Sequence, residues 1–187
     1  GMTFASSYQL PMITIIQNNQ YAISTPREKM IAAKTLAQKA VGYGIPGIQV
    51  DGNDVLAMYL AVETARERAE KGEGPTLIEA VTYRMGPHTT SDNPKLYRED
   101  AEVEKWAKRD PMIRFRQYLI DKKYWSKSKD EKLQDEMKKQ VLDTFKKVEK
   151  IGEVDLEDTF KYTYDSMTPR MIQQLNNYKE FLEKGVK

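Results

Sequence analysis

An α/β fold, with a parallel sheet flanked by helices and followed by a helical carboxy-terminal region, is predicted by three observations. Short β-branched runs at residues 12–16, 48–50 and 76–82 read as strands. Segments with helical spacing separate them, the strand–helix–strand alternation of a parallel sheet with helices on both faces. After residue 98 the pattern changes and everything reads as helix. Residues 1–98 are therefore expected to form one α/β domain and residues 99–187 a helical extension packing on the sheet or on partner subunits.

Residues 1–8 read like the last turns of a helix. Met12-Ile13-Thr14-Ile15-Ile16 follows Pro11 and suits a strand buried on both faces. It stops abruptly at Gln17-Asn18-Asn19-Gln20-Tyr21. Asparagines at a strand end usually make turns, but an amide oxygen can also be a hard ligand for magnesium. Residues 22–29 are irregular, with Pro26 opposing any helix. Residues 30–40 have helix-forming composition, ended by Gly42 and Gly44. Ile48-Gln49-Val50 is a minimal strand closed by Asp51-Gly52. In the next helix Val55, Met58 or Tyr59, Val62, Ala65 and Ala69 share a face, Asn53 or Asp54 caps it, and Lys71-Gly72 ends it. Gly74-Pro75 turns into the strand at 76–82.

The loop that follows holds His88, the single histidine of the chain. Its ordinary pKa lies near neutrality, which suits a proton shuttle or an anion contact, and Arg84 and Arg98 lie nearby in sequence. Loops at the carboxyl ends of strands are where open α/β sheets place ligands. Beyond it, residues 101–108 form a candidate helix, and Asp110-Pro111 caps another running to about Lys123. Ser128-Lys129-Asp130-Glu131 is a capping box before a helix with the stripe Leu133, Met137, Val141, Phe145 and Val148. Thr168-Pro169 opens the last helix, with Ile172, Leu175 and Leu182 on its buried side.

Composition excludes several classes. Thirty basic against 28 acidic residues give a net charge of +2, which does not favour nucleic acid. The lysines of the second half alternate with acids, as on solvated helix faces. Without cysteine there is no disulfide framework and no thiolate metal site. No apolar run reaches membrane-spanning length, so a soluble cytoplasmic protein is the default expectation. A glycine-rich phosphate loop follows none of the strands, which opposes an unrelated nucleotide-binding fold.

Ordered blocks along the chain carry a resemblance. They are Asn18-Asn19-Gln20-Tyr21-Ala22-Ile23-Ser24-Thr25-Pro26, Val50-Asp51-Gly52-Asn53-Asp54, Gly74-Pro75-Thr76-Leu77-Ile78-Glu79, and Thr82-Tyr83-Arg84-x-Gly86-x-His88-Thr89-x-Ser91-Asp92, then Tyr97-Arg98 and Asp110-Pro111. With them the chain resembles the alpha subunits of the thiamine diphosphate-dependent 2-oxo acid dehydrogenases, the decarboxylating components of the pyruvate and branched-chain complexes. The resemblance implies a thiamine diphosphate-binding fold, decarboxylation of a 2-oxo acid, and transfer of the acyl group to a lipoyl group on an acyltransferase component. It implies Mg²⁺ held by the Asn19 side chain and the Tyr21 carbonyl. Ile23 is implied to lie against the cofactor, and His88 to contact the diphosphate and face the reacting centre. Gln17, where relatives often carry a charged residue, is counted with the cofactor-binding positions. The site would be completed by a beta subunit in an alpha2beta2 heterotetramer.

The family's metal motif opens with Gly-Asp-Gly or Gly-Glu-Gly, and no such run precedes Asn19. Three strands are also few for an open sheet. A carboxy-terminal fragment lacking the amino-terminal strands, inactive by itself, is therefore expected. The alternative is a folded, inactive module serving only subunit assembly. Residues 50–54 and 88–92 resemble the branched-chain enzymes more than the pyruvate ones, so a branched-chain substrate is expected first. Thr89 stands where mitochondrial relatives carry a regulatory phosphoserine.

Overall fold

The computed structural model describes residues 1–152 and 154–185, and groups the chain into two compact units, residues 1–127 and 128–187. In the first unit three parallel strands, β1 (Ile13–Asn18), β4 (Gly47–Asp51) and β5 (Thr76–Val81), form a sheet in the order β1-β5-β4. The hairpin strands β2 (Tyr21–Ala22) and β3 (Thr25–Pro26) form a separate antiparallel pair. β5 is central, and residues 76–80 are buried as that position requires. β1 departs from the expected strand buried on both faces. It lies at the edge of the sheet, and Ile15 is 49% exposed.

Helices cover both faces, as the strand–helix alternation predicts. On one face Leu77 packs with Ala37, Ala40 and Ile45, joined by Met2 of α1 (Met2–Ser7) and by Ile16. On the other, Ile78 packs with Ala61 and Ala65 of α3 (Val55–Glu70), flanked by Ile13, Ile48, Val50, Met58 and Val62. Small residues on the helices let them approach closely. A Cβ on Gly47 would stand 2.4 Å from the Ala37 carbonyl oxygen, so β4 can lie under its helix only with glycine there. Asp54 caps α3, accepting from Leu56 N and Ala57 N at 3.0 Å each.

The helix expected at residues 30–40 is replaced by a helical turn, α2 (Arg27–Met30), an irregular stretch, and a 3-10 helix at Leu36–Tyr43. The Arg27 guanidinium donates to the Lys34 carbonyl at 2.6 Å and also to Ala33, which diverts those carbonyls from a continuous helix. Gln38 then accepts from Thr35 N at 3.4 Å, and Gly44, at φ 65°, ends the 3-10 helix. The irregular region 22–29 contains the β2–β3 hairpin, and Pro26 sits at the N-cap of α2 rather than breaking a helix.

Two helices after residue 98 group with the sheet: α4 (Asp100–Ala107) and α5 (Pro111–Asp121), the latter capped by Asp110 through Met112 N at 2.9 Å and Ile113 N at 3.1 Å. Trp106 of α4 stacks on Tyr83 just past β5, with ring centroids 5.3 Å apart and planes 10° apart. Arg109 and Arg114 both reach the Asp51 carboxylate at 3.0 Å, and Arg114 also bonds Asp54 at 3.2 Å.

The second unit consists mainly of α6 (Lys127–Glu149), α7 (Asp158–Lys161) and α8 (Pro169–Glu183). α6 begins before the expected cap, so Ser128 lies inside it. Its stripe, Leu133, Met137, Val141, Phe145 and Val148, is exposed rather than buried. Thr168 caps α8 as expected, accepting from Met171 N at 3.3 Å. Of its three apolar positions only Leu175 is buried; Ile172 and Leu182 are exposed.

Candidate functional site

Because the three strands run parallel, their carboxyl ends lie side by side. β1 delivers Asn18-Asn19, β4 delivers Asp51-Gly52-Asn53, and β5 delivers Thr82-Tyr83-Arg84 to one edge. Hydrogen bonds knit these ends together. Thr82 N donates to Asn18 O at 2.9 Å, and Gly52 N to Val81 O at 2.8 Å. The Thr82 hydroxyl donates to Asn53 Oδ1 at 2.6 Å. Asn53 is thus a buried tie between strands, while Asp54 provides the helix cap.

Beneath the edge lies a group that sequence reasoning gave no role. Glu79, on the central strand, has no exposed surface. Its Oε1 accepts from Asn18 Nδ2 at 2.7 Å and its Oε2 from Ala37 N at 2.9 Å. A buried carboxylate is tolerable only with such partners. The signal was its place inside the apolar run Leu77-Ile78-Glu79-Ala80-Val81, where an acid must be satisfied from within.

Residues 18–23 form a turn held from many directions. Gln20 and Ile23 adopt positive φ, 72° and 54°, a conformation costly for side-chain-bearing residues and most so for a β-branched one. Gln20 N donates to Asn18 Oδ1 at 3.2 Å and Tyr21 N to Asn19 Oδ1 at 3.1 Å. Gln20 Nε2 reaches the Asn18 and Thr82 carbonyls at 3.1 and 3.2 Å. Arg27 N donates to Gln20 O at 2.9 Å, and Arg84 Nη2 to Ile23 O at 2.6 Å. The turn reading and the ligand reading of the Asn pair are therefore compatible, since an amide oxygen has two lone pairs. Opposite Tyr21 in the hairpin stands Pro26. Because Arg27 N donates to Gln20 O, Tyr21 and Pro26 are a non-hydrogen-bonded pair of the ladder, and the Tyr21 carbonyl points away from its hairpin partner.

Of the positions singled out in the sequence, Asn19, Tyr21 and Ile23 come together in this turn. Gln17 does not join them. It lies on β1 opposite Ala80 with its side chain exposed. His88 lies in the exposed loop after β5, and its backbone N–H donates to Asp92 Oδ2 at 2.8 Å. Among the described residues its imidazole makes no hydrogen bond with Asn19, Tyr21, Ile23 or Gln17. The base of the loop is firmer. The Tyr97 hydroxyl donates to Asp92 at 2.6 Å and accepts from Arg84 Nη2 at 2.8 Å. Arg98 donates to the Arg84 carbonyl, to Met85 O at 2.7 Å and to Gly86 O at 3.1 Å.

The charges follow these bonds. The His88 N–H and the Tyr97 hydroxyl hold the Asp92 carboxyl below the usual carboxylate range. Burial pushes the Asp51 carboxyl up, but the bonds from Asn53 N–H, Arg114 and Arg109 outweigh it and leave Asp51 lowered. The Tyr21 phenol is pushed well up by burial and by Glu102, whose Oε2 accepts its proton at 2.9 Å. Arg84 Nε and Nη1 are buried without an acceptor, and its guanidinium lies 5.7 Å from the Tyr21 ring centre, where the ring face offsets part of that loss. No group of three or more His, Asp or Glu side chains among the described residues could hold a metal. A cation at this edge would rely on amide and carbonyl oxygens, and those of Asn19 and Tyr21 suit a hard ion that also binds phosphate oxygens.

Residues 1–157 match the family model described as "Dehydrogenase E1 component". The chain belongs to the dehydrogenase E1 component family. It is 55% identical over its whole length to the pyruvate dehydrogenase E1 component subunit alpha of Acholeplasma laidlawii, of which it covers 54%. It is 47% identical, over 96% of its length, to the subunit of the same name from Staphylococcus epidermidis, covering 49% of that protein. The Staphylococcus aureus subunit gives 46%. The chain thus spans about half the length of the curated relatives it matches. The E1 resemblance read from the Asn18–Pro26 and Thr82–Asp92 blocks is borne out. No helix among the described residues is long and apolar enough to cross a membrane.

Proposed function

We propose that this chain supplies the metal-binding turn and the histidine loop of a 2-oxo acid dehydrogenase alpha subunit of the pyruvate type. The observation that carries the reading is the over-determined turn at the carboxyl edge of the sheet. It presents the Asn19 amide oxygen and a Tyr21 carbonyl that its hairpin partner cannot engage. Asn19 and Tyr21 would hold Mg²⁺ against the diphosphate of thiamine diphosphate, with Ile23 providing an apolar contact. When bound, the cofactor supplies the decarboxylation chemistry and carries the acyl group.

The residues of this chain do the holding. Asn19 would hold the metal through Oδ1 while still accepting from the Tyr21 N–H. Arg84 fixes the Ile23 carbonyl and with it the left-handed backbone that turns this side chain outward. His88, on an exposed loop, is free to approach an anionic group through its imidazole nitrogens. Gln17, exposed on β1 outside the turn, would be the weakest of the proposed contacts. A beta subunit would complete the site, and a lipoyl-bearing acyltransferase would receive the acyl group. A location in the cytoplasm is part of the proposed reading.

The relatives are called pyruvate dehydrogenase subunits, so pyruvate takes the place of the branched-chain substrate expected from residues 50–54 and 88–92. A module serving only assembly has no observation in its favour. The test is decarboxylation by the alpha subunit that contains this chain, co-expressed with its beta subunit, against pyruvate and against 3-methyl-2-oxobutanoate. The reading expects pyruvate to have at least about tenfold higher kcat/KM, a difference of about 1.4 kcal/mol. The reverse preference would restore the branched-chain assignment, and activity on neither would defeat the enzymatic reading.

A further inference from the structure

Tyr21 lies between two residues in left-handed backbone, Gln20 at φ 72° and Ile23 at φ 54°. Such backbone is costly for a residue with a side chain and persists only where surrounding structure over-determines it. Most of that determination comes from the sheet edge. One tie comes from elsewhere: the Tyr21 hydroxyl donates to Glu102 Oε2 at 2.9 Å, across 81 residues of chain. We propose that Glu102 is a positioning residue for this turn, fixing the direction of the Tyr21 side chain and so of its carbonyl. The inference deepens the metal-site reading above and rests on it for its functional meaning.

Three features of the surroundings support it. α4, which carries Glu102, is set against the end of β5 by the stacked Tyr83 and Trp106 rings. The Tyr21 ring meets Tyr83 edge-on, centroids 6.0 Å apart at 82°, and Tyr97 at 5.6 Å. Ring contacts therefore confine the sides of Tyr21, and Glu102 confines its tip. Finally, Tyr21 and Pro26 form a non-hydrogen-bonded pair of the hairpin, so no ladder bond from Pro26 fixes the Tyr21 carbonyl, and residue 21 is tied through its side chain and through the Asn19 bond to its N–H. A bond to an ionised acceptor is about twice as strong as a neutral one, which suits Glu102 to the task. The competing description makes Glu102 an ordinary half-solvated acid on α4 whose loss affects only that helix.

Amide hydrogen exchange on the chain distinguishes the two. Tyr21→Phe keeps the ring and backbone and removes the donor. Glu102→Ala removes the acceptor, and Glu102→Gln retains an acceptor oxygen without the charge. The reporters are the amides of Gln20, Tyr21, Arg27 and Arg84, all bonded to the turn. In Tyr21→Phe and in Glu102→Ala they are expected to exchange about tenfold faster, since both remove the bond to the Glu102 carboxyl group. The double variant should be no faster than either single one, Glu102→Gln should restore part of the protection, and β5 and α3 should be unchanged. Unchanged reporters, additive effects, or a uniform loss across the sheet in both Tyr21→Phe and Glu102→Gln would overturn the assignment. A second arm uses Mn²⁺ with thiamine diphosphate, followed by electron paramagnetic resonance on the alpha–beta complex. Tyr21→Phe should weaken Mn²⁺ about tenfold, with no further loss in the double variant. Wild-type affinity in both single variants would overturn the positioning role. If the wild-type complex itself binds no Mn²⁺, the cofactor reading fails, while the exchange result still decides whether Glu102 holds the turn.

Discussion

The turn at residues 18–23 and the His88 loop leave neighbouring positions on the same sheet edge, yet they are built on opposite plans. The turn contains two strained residues and is tied by hydrogen bonds to β1, β5, the hairpin and α4. The loop is bound at its base through Arg84, Tyr97, Asp92 and Arg98, whereas the His88 ring at its tip has no hydrogen-bond partner among the described residues. Holding a metal requires oxygens fixed before the ion arrives. Moving a proton, or meeting a substrate brought by another protein, requires a side chain that can change its contacts. On the proposed reading, the contrast separates a holder from a mover.

Substitutions should break the holder first. Glu79→Ala would leave Asn18 Nδ2 and Ala37 N buried without acceptors. Each stranded donor costs about 1–3 kcal/mol, so urea denaturation should show a loss of about 3–5 kcal/mol, the largest single effect expected in the first unit. Gly47→Ala, with its new methyl 2.4 Å from the Ala37 carbonyl, should cost about 1–3 kcal/mol through forced backbone shifts. Asn19→Ala removes one acceptor from the Tyr21 N–H. It should lower stability by about 1 kcal/mol while removing metal-dependent cofactor binding. His88→Ala sharpens the comparison from the other side: an exposed, loosely tied side chain should change stability by less than about 0.5 kcal/mol, yet reduce acyl transfer.

Asp51 provides a pH signature. Its carboxyl is lowered in the folded state by the Asn53 N–H, Arg114 and Arg109 against the opposing effect of burial. The unfolded chain therefore takes up that proton first as pH falls from neutrality. The stabilisation is complete above the unfolded value, about 3.9, and is lost as pH falls below it through the folded value. Asp51→Asn should flatten the acid limb of the stability curve below about pH 4. An unchanged limb would place that dependence elsewhere.

The sheet was legible because its strands obey local rules. The β-branched runs, the Asp54 cap and the Asp110-Pro111 start each act over a few residues, and each is in place. β1 was misjudged because an apolar run does not reveal whether a neighbouring strand covers its second side. Residues 30–40 have helical composition, but the Arg27 guanidinium captures the carbonyls of Ala33 and Lys34, an interaction that composition does not encode. In the site, Asn19, Tyr21 and Ile23 were legible because they are adjacent in sequence. Glu79 could have been noticed as an acid inside an apolar strand. Glu102 could not, because its partner lies 81 residues away and nothing in the local pattern of α4 distinguishes it from a solvated acid. The stripes of α6 and α8 were legible as periodicity, but within the chain only Leu175 of them is buried, since periodicity marks a face without showing what covers it.

The central claim is that the turn at residues 18–23 holds a metal–diphosphate group. Its most direct test is calorimetric titration of thiamine diphosphate with Mg²⁺ into the alpha–beta complex containing this chain, comparing wild type with Asn19→Ala. The account expects Mg²⁺-dependent binding in the wild type and its loss in Asn19→Ala, with the sheet still folded by circular dichroism. Equal, metal-dependent binding in both would contradict it and move the metal away from Asn19.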